Sequence, residues 1–317
     1  MEREGITKIL HLGDILDRRK YVNFVTANRL RVDFMEPIQQ KGFSIDHILG
    51  NHDVYYKDTN AVSGVIELFG HSTYPIDIIT DVGERVYGNL PILCVPWITE
   101  DNRETATTVI RNSRAKVCMG HLELNGFEMM RGSVMDHGMD SDLFENFEVT
   151  ASGHFHHPSQ RGHIRYLGAM GQYDWGDNDD PRGFHIFDTE TLKFEHVGNP
   201  YEMFHKIEYD DTEDQTGLLN IPEWIKDTYV KVIVNAKNDP VFFDKFISAI
   251  EDMGVVDLQI EERYINVQID KTLELAAQSE DTKNIINDYI DYSEIQVDRS
   301  ALKRVMNEIY REAIMSK

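Results

Sequence analysis

Four short apolar runs in this 317-residue chain end in a glycine followed by a side chain able to bind a metal. They are Ile9-Leu10-His11-Leu12-Gly13-Asp14, Ile48-Leu49-Gly50-Asn51-His52-Asp53, Val117-Cys118-Met119-Gly120-His121 and Val149-Thr150-Ala151-Ser152-Gly153-His154-Phe155-His156. Glycine after such a run lets the backbone turn sharply and approach a bound group. Nitrogen and oxygen donors without thiolate suit manganese, iron or zinc. More donors than one tetrahedral ion needs imply two divalent ions sharing a carboxylate. Two metals about 3.5–4 Å apart are a common device for hydrolysing phosphoesters. One ion activates water, and both stabilise charge on the phosphate oxygens.

Elements of a particular kind must position these side chains. Each run reads as a buried strand, and the four are expected to deliver Asp, Asn and His to one sheet edge. Residues 23–40 read as a helix whose last turn Pro37 disturbs. Residues 1–198 alternate strands with helices and loops and hold every donor motif. An acidic stretch at 199–222, including Glu208-Tyr209-Asp210-Asp211-Thr212-Glu213-Asp214, reads as a linker or edge.

A smaller unit follows. Tyr229–Val234 and Tyr264–Ile269 read as strands. Between them Asp239 caps a helix that begins at Pro240 and stops before Gly254. Phe243, Phe246, Ile247, Ile250 and Met253 share one face of it. Further on, Ile285, Ile286, Tyr289 and Ile290 suggest a helix. Leu302, Val305, Met306, Ile309, Tyr310 and Ala313 follow helical spacing for about three turns. Such terminal helices either fold back on their own core or dock on a partner.

Composition sets limits. A net charge of -23 argues against unaided binding to nucleic acid, because phosphate contact normally needs a basic surface. The acidity otherwise serves solubility. Cys94 and Cys118 lie in strand-like runs and read as reduced core residues. The amino-terminal residues carry no apolar targeting segment, and no stretch approaches the roughly 18 apolar residues of a membrane span. A cytoplasmic protein with no membrane contact is expected.

The series G-D-x-x-D, G-N-H-D, G-H and G-H-x-H resembles the calcineurin-like metallophosphoesterases. Gly13-Asp14-Ile15-Leu16-Asp17, Pro96-Trp97, the run from Gly120-His121 to Gly126-Phe127 and Asp180-Pro181-Arg182-Gly183-Phe184 narrow the resemblance to SbcD-type DNA repair nucleases of the bacteriophage kind. The resemblance implies an α/β fold: a metallophosphoesterase β-sandwich flanked by helices (1–198), a small α/β capping domain (199–275) and C-terminal helices (276–317). It implies a nuclease subunit acting on DNA beside an SMC-like ATPase that those helices hold, and homodimers are common in such families.

Carried over position by position, it makes Asp14 a bridging carboxylate, joined on one metal by Asn51, His121 and His154. His156 serves the other metal. His52 is the general acid or steadies the transition state, and Asp53 orients it. Manganese is the expected ion. Asp17 and Arg18 either touch substrate or form a surface turn. His11 reads as a satisfied buried histidine, and His137, His157 and His163 as loop or surface residues. Asp177 to Pro181 reads as a turn cluster, since it lacks the distal Glu of a calcium loop.

One departure stands out. The family begins with a strand carrying D-x-H, which supplies two ligands to the first metal, and only Met1 to Leu12 precede Gly13-Asp14 here. Asp46-His47, inside the strand leading to Gly50, is no substitute. The chain therefore reads as lacking its first strand and helix, with the first metal site incomplete. A catalytically impaired or split-gene fragment acting as a scaffold, and a phosphatase of the same superfamily, are the alternatives.

Overall fold

The structure, a computed structural model, describes residues 4–130, 132–178, 180–212, 217–263, 290 and 298–306. The chain divides into two units: Met1–His205 with Glu223–Val230 and Met253–Asp257, and Lys206–Pro222 with Lys231–Asp252 and Leu258–Lys317.

Two sheets carry the first unit. Strands β1 (Lys8–His11), β2 (Ser44–Ile48) and β3 (Ile76–Ile79) run parallel in that order. The second sheet contains β4 (Gly83–Tyr87), β5 (Leu90–Val95), β6 (Val117–Gly120), β9 (Val149–Ser152), β10 (Ser159–Arg161) and β11 (Ile164–Tyr166), ordered β10-β11-β9-β6-β5-β4. A short hairpin, β7 (Glu128–Met130) with β8 (Ser133–Val134), interrupts the sequence between β6 and β9. The inner strands β5, β6, β9 and β11 are parallel, while β4 and β10 close the edges antiparallel. Parallel strands are covered on both faces and so read as continuous apolar runs, which is why β6 is buried along its whole length. The expectation of a single sheet edge is thus corrected: β1 and β2 belong to one sheet, β6 and β9 to the other.

The sheets face each other across a shared core of Ile48 and Ile79 from the first and Ile92, Cys94, Val117, Met119 and Ala151 from the second. Lys8 and Tyr87 both bind the Asp46 carboxylate, the tyrosine at 2.8 Å, so a buried charge between the sheets is satisfied from both. The outer face of the first sheet packs on Met35 and on α3 (Gly64–Phe69) through Val65 and Phe69. The outer face of the second packs on α4 (Arg103–Asn112) through Ala106 and Ile110. Strand β1 has β2 on one side and no strand on the other among the described residues.

The helix expected over 23–40 exists in three pieces. Asn23 caps α1 (Phe24–Arg29), a π-helical stretch Leu30–Met35 follows, and α2 (Glu36–Gln40) completes it. Pro37 lacks an N–H and its ring crowds the carbonyl four residues earlier, so the preceding turn widens instead of the helix ending there.

Strands β12 (Gly183–Asp188) and β13 (Lys193–Gly198) pair as an antiparallel hairpin, with Phe187 and Phe194 against the core between the sheets. The supposed linker at 199–222 contains a strand, β14 (Phe204–Asp210), which forms a sheet with β15 (Tyr229–Ala236) and β16 (Asp257–Glu262). Lys206, Glu208 and Asp210 occupy its exposed face and mask the alternation that turns His205, Ile207 and Tyr209 the other way. In the second unit α5 (Pro240–Asp252) starts where Asp239 accepts from the N–H groups of Val241 and Phe242, and Phe243 and Phe246 meet the Tyr209 ring. Gly254 follows with φ +79. The strand expected at Tyr264–Ile269 lies outside the described residues, as do Ile285, Ile286, Tyr289, Ile309, Tyr310 and Ala313. Residues 299–306 are helical, capped by Asp298.

Candidate metal centre

Asp14, Asn51, His121 and His154 each follow the carboxyl end of a parallel strand, where open α/β sheets place their ligands. The turns that present them need glycine for a steric reason. A Cβ on Gly13, whose φ is +96, would stand 2.2 Å from His121 Nδ1, and one on Gly50 would stand 2.2 Å from Asp14 Oδ1. The two sheets approach so closely here that only a bare backbone fits. Asp14 and His154 themselves adopt left-handed conformations, φ 59 and 69. Such strain at two donors persists only where the surroundings enforce it.

The donor atoms converge. His121 Nε2 lies 2.8 Å from Asn51 Oδ1, 3.1 Å from His154 Nδ1 and 3.1 Å from Asp14 Oδ2, and His154 Nδ1 lies 3.0 Å from Asn51 Oδ1. Outer partners fix the tautomers. His121 Nδ1–H donates to the Leu12 carbonyl at 2.7 Å, leaving a lone pair on Nε2 aimed inward. His154 Nε2 faces the Glu123 carboxylate at 3.7 Å, leaving its Nδ1 lone pair inward. The Asn51 carbonyl then points at acceptors alone. A cation at the centre satisfies that arrangement; without one, the amide must rotate half a turn so that its NH2 donates. Separations of 2.8–3.1 Å are short enough for these atoms to share one divalent ion. Asp14, His121 and His154 form a group able to hold a metal ion.

Without an ion, electrostatics set the two histidines apart. Burial opposes charge on His121, yet Asp14 and the Leu12 carbonyl outweigh it and raise its pKa. Burial lowers that of His154 despite Glu123, which favours the neutral, ligating form. Burial would raise the Asp14 pKa, but His121 and the His52 N–H pull it below the usual carboxylate range. Trp97 covers the histidines, its ring centroid 5.3 Å from that of His154. It also lines a cleft of about 210 Å³ with Arg103, His121 and Glu123.

The other sequence-selected residues fall in different places. His52 donates its backbone N–H to Asp14 Oδ1 at 2.7 Å, and its ring Nδ1 meets the Asp17 carbonyl. Asp53 does not orient His52. Fully buried, it accepts from the N–H groups of Asp14, Ile15, Leu16 and Gly50 and from His47 Nε2 at 3.0 Å. It therefore fixes the turn that carries Asp14, and the Asp17 carbonyl takes the part expected of it beside His52. Burial alone would raise its pKa; His47 and these N–H groups hold it far below the ordinary value. His11 is half-buried rather than buried, its Nδ1 3.0 Å from His47 Nδ1. His156 stands outside the donor group, its ring beside Tyr173.

Asp17 and Arg18 form an exposed turn with Tyr21. The Asp177–Pro181 cluster grips a buried arginine: Arg182 binds Asp177 at 2.7 Å, Asp180 at 3.1 Å and the His156 carbonyl. His157 is no mere loop residue, since its Nδ1 meets Asp180 at 2.7 Å. Two supporting residues escape sequence reasoning. Glu123 is visible only as the acid two residues after His121. His47, no ligand, holds Asp53 instead.

No protein-family model matches the chain. It is 32% identical over 321 residues to Exonuclease subunit 1 of Enterobacteria phage T4, spanning 98% of this chain and 89% of that protein. The chain belongs to the SbcD-type nuclease family. The SbcD component of the nuclease SbcCD of Staphylococcus saprophyticus is 28% identical over 109 residues, 32% of this chain and 28% of that protein. No described helix of this SbcD-type chain is long and apolar enough to cross a membrane.

Proposed function

We propose that this chain is a divalent-metal-dependent DNA phosphodiesterase, the nuclease subunit of an SbcCD-like nuclease–ATPase complex. It would process DNA ends during phage recombination, in the host cytoplasm. The observation that carries this reading is the convergence of four lone-pair donors at the carboxyl ends of strands from two sheets.

Asp14, Asn51, His121 and His154 would hold one ion, and their nitrogen and oxygen donors suit manganese. Asp14 and His156 would contribute to a second. The ions supply an activated water and charge stabilisation on the phosphate. His52 has its Nδ1 tied to the Asp17 carbonyl, so Nε2 is the atom that gives a proton to the leaving oxygen or steadies the developing charge. Asp53 keeps the Asp14 turn in place, and Trp97 shields the histidine ligands from water on one side. A D-x-H strand paired with β1, on the side that no described strand occupies, would supply the remaining ligands of the second ion.

Manganese-dependent cleavage of duplex DNA tests the reading. His52→Ala and His154→Ala should each remove it, and a chain extended by the D-x-H strand should cut faster than this one. Undiminished cleavage by His154→Ala would refute the assignment. The helix at 299–306 would hold the ATPase, because Val305 is exposed on it. Val305→Asp with Ile309→Asp should abolish co-purification while the nuclease unit stays folded; unfolding of the whole chain would refute that docking.

A further inference from the structure

Arg19 lies directly outside the donor cluster and lacks partners there. Its Nη1 is buried with no hydrogen-bond acceptor. Its Nη2 lies 3.3 Å from the outer end of the Asn51 amide. What that end presents depends on what the inner end binds. If the NH2 donates inward to His121, His154 and Asp14, the amide carbonyl faces outward and accepts from Arg19 Nη2. If the carbonyl faces inward to a cation, the NH2 faces Arg19 and two donors meet. Guanidinium keeps its charge at any working pH and has no acceptor atom of its own. In the cation-bound arrangement Nη1 is buried without an acceptor and Nη2 faces a second donor. Asp17 and Arg18 do not fill the gap, since they pair with each other at the surface.

We propose that Arg19 binds a non-bridging oxygen of the substrate phosphodiester, and that metal loading makes it available by turning Asn51. The inference rests on reading the cluster as a metal centre, and adds to it a residue that positions the phosphate. A guanidinium N–H donated from Nη2 to an anionic oxygen is the charge-assisted contact at which arginine excels. The contact also answers a difficulty of composition, because a chain of net charge -23 repels a polyanion. A single arginine beside the cluster supplies attraction where the reaction occurs. It also orders binding: without metal the Asn51 carbonyl holds Nη2, and the diester must displace it.

Dimethyl phosphate, an uncleaved diester, is the probe, and its affinity is read by thermal-shift titration with saturating manganese and without it. Manganese affinity is measured by calorimetry on the same proteins. Arg19→Met should bind manganese as the wild type does but bind dimethyl phosphate about 10–100-fold more weakly in its presence. Arg19→Lys should recover part of the loss. Without manganese, wild type and Arg19→Met should bind the diester equally weakly. Wild-type diester affinity in manganese-loaded Arg19→Met would overturn the proposal. So would loss of manganese binding in that variant, which would make Arg19 a support for Asn51 alone. Failure of the wild type to bind manganese would instead defeat the metal-centre reading itself. If Arg19→Met fails to fold, the lysine variant decides: wild-type affinity in it would overturn the guanidinium contact.

Discussion

Of three histidine pairs among the described residues with ring centroids 4.9 Å apart, two lie beside the candidate centre, His11 with His47 and His121 with His154. Both pairs follow or occupy strands beside the same glycine turns, and both lie near Asp14. Their hydrogen bonds separate them. His121 gives its Nδ1–H to the Leu12 carbonyl and His154 faces Glu123 through Nε2, so each keeps one lone pair for the centre. His47 uses Nε2 on Asp53 and Nδ1 on His11, so neither of its ring nitrogens is left for a metal. Whether a histidine becomes a ligand is settled by what its other nitrogen binds, not by burial or by nearness to a carboxylate.

The comparison breaks most visibly at its structural end. Asp53→Asn exchanges a buried carboxylate that faces His47 and backbone N–H groups for an amide that cannot satisfy them all. Loss of about 3–5 kcal/mol is expected, as when one partner of a buried pair is removed. That is a fall of roughly 10 °C in Tm, measured by calorimetry, with metal affinity reduced as the Asp14 turn loosens. A ligand-only role for Asp53 would lower metal affinity and leave the metal-free Tm unchanged.

Glu123→Gln sharpens the other end. It keeps the shape but weakens the hold on His154 Nε2, and metal affinity should fall about 10–100-fold while stability changes little. Manganese titration by calorimetry measures it.

His11→Ala gives the smallest effect. Burial and the adjacent His47 hold the His11 pKa down to about 3, below its ordinary 6.5. Between those values the unfolded chain takes up a proton that the folded chain refuses. Stability from neutral His11 is therefore complete above pH 6.5 and is lost as pH falls toward 3. The variant should bind metal and cut DNA near the wild-type level, with a flatter decline of Tm across that interval.

Much of this is legible in the chain. The glycine-donor spacing marks Asp14, Asn51, His121 and His154, because a strand followed by glycine has few places to put the next side chain. The apolar runs of β2, β6 and β9 are equally plain, as is α5 with Asp239 before it and Gly254 after it. What escapes depends on partners distant in sequence. That the donors come from two sheets follows from strand pairing, which the runs themselves do not encode. Adjacency in sequence suggests Asp53 as the orienting acid of His52, whereas its bonds reach back 39 residues to Asp14. The acidity of its outer face hides β14, and Arg19 lies in a polar turn with nothing periodic around it.

Manganese calorimetry on the chain, paired with the same titration of His154→Ala and His11→Ala, tests the central claim most directly. One tight site in the wild type is expected, kept by His11→Ala and weakened more than about 100-fold by His154→Ala, since losing a ligand exceeds losing its outer support. Two equally tight sites in the wild type, or an unchanged site in His154→Ala, would contradict the account.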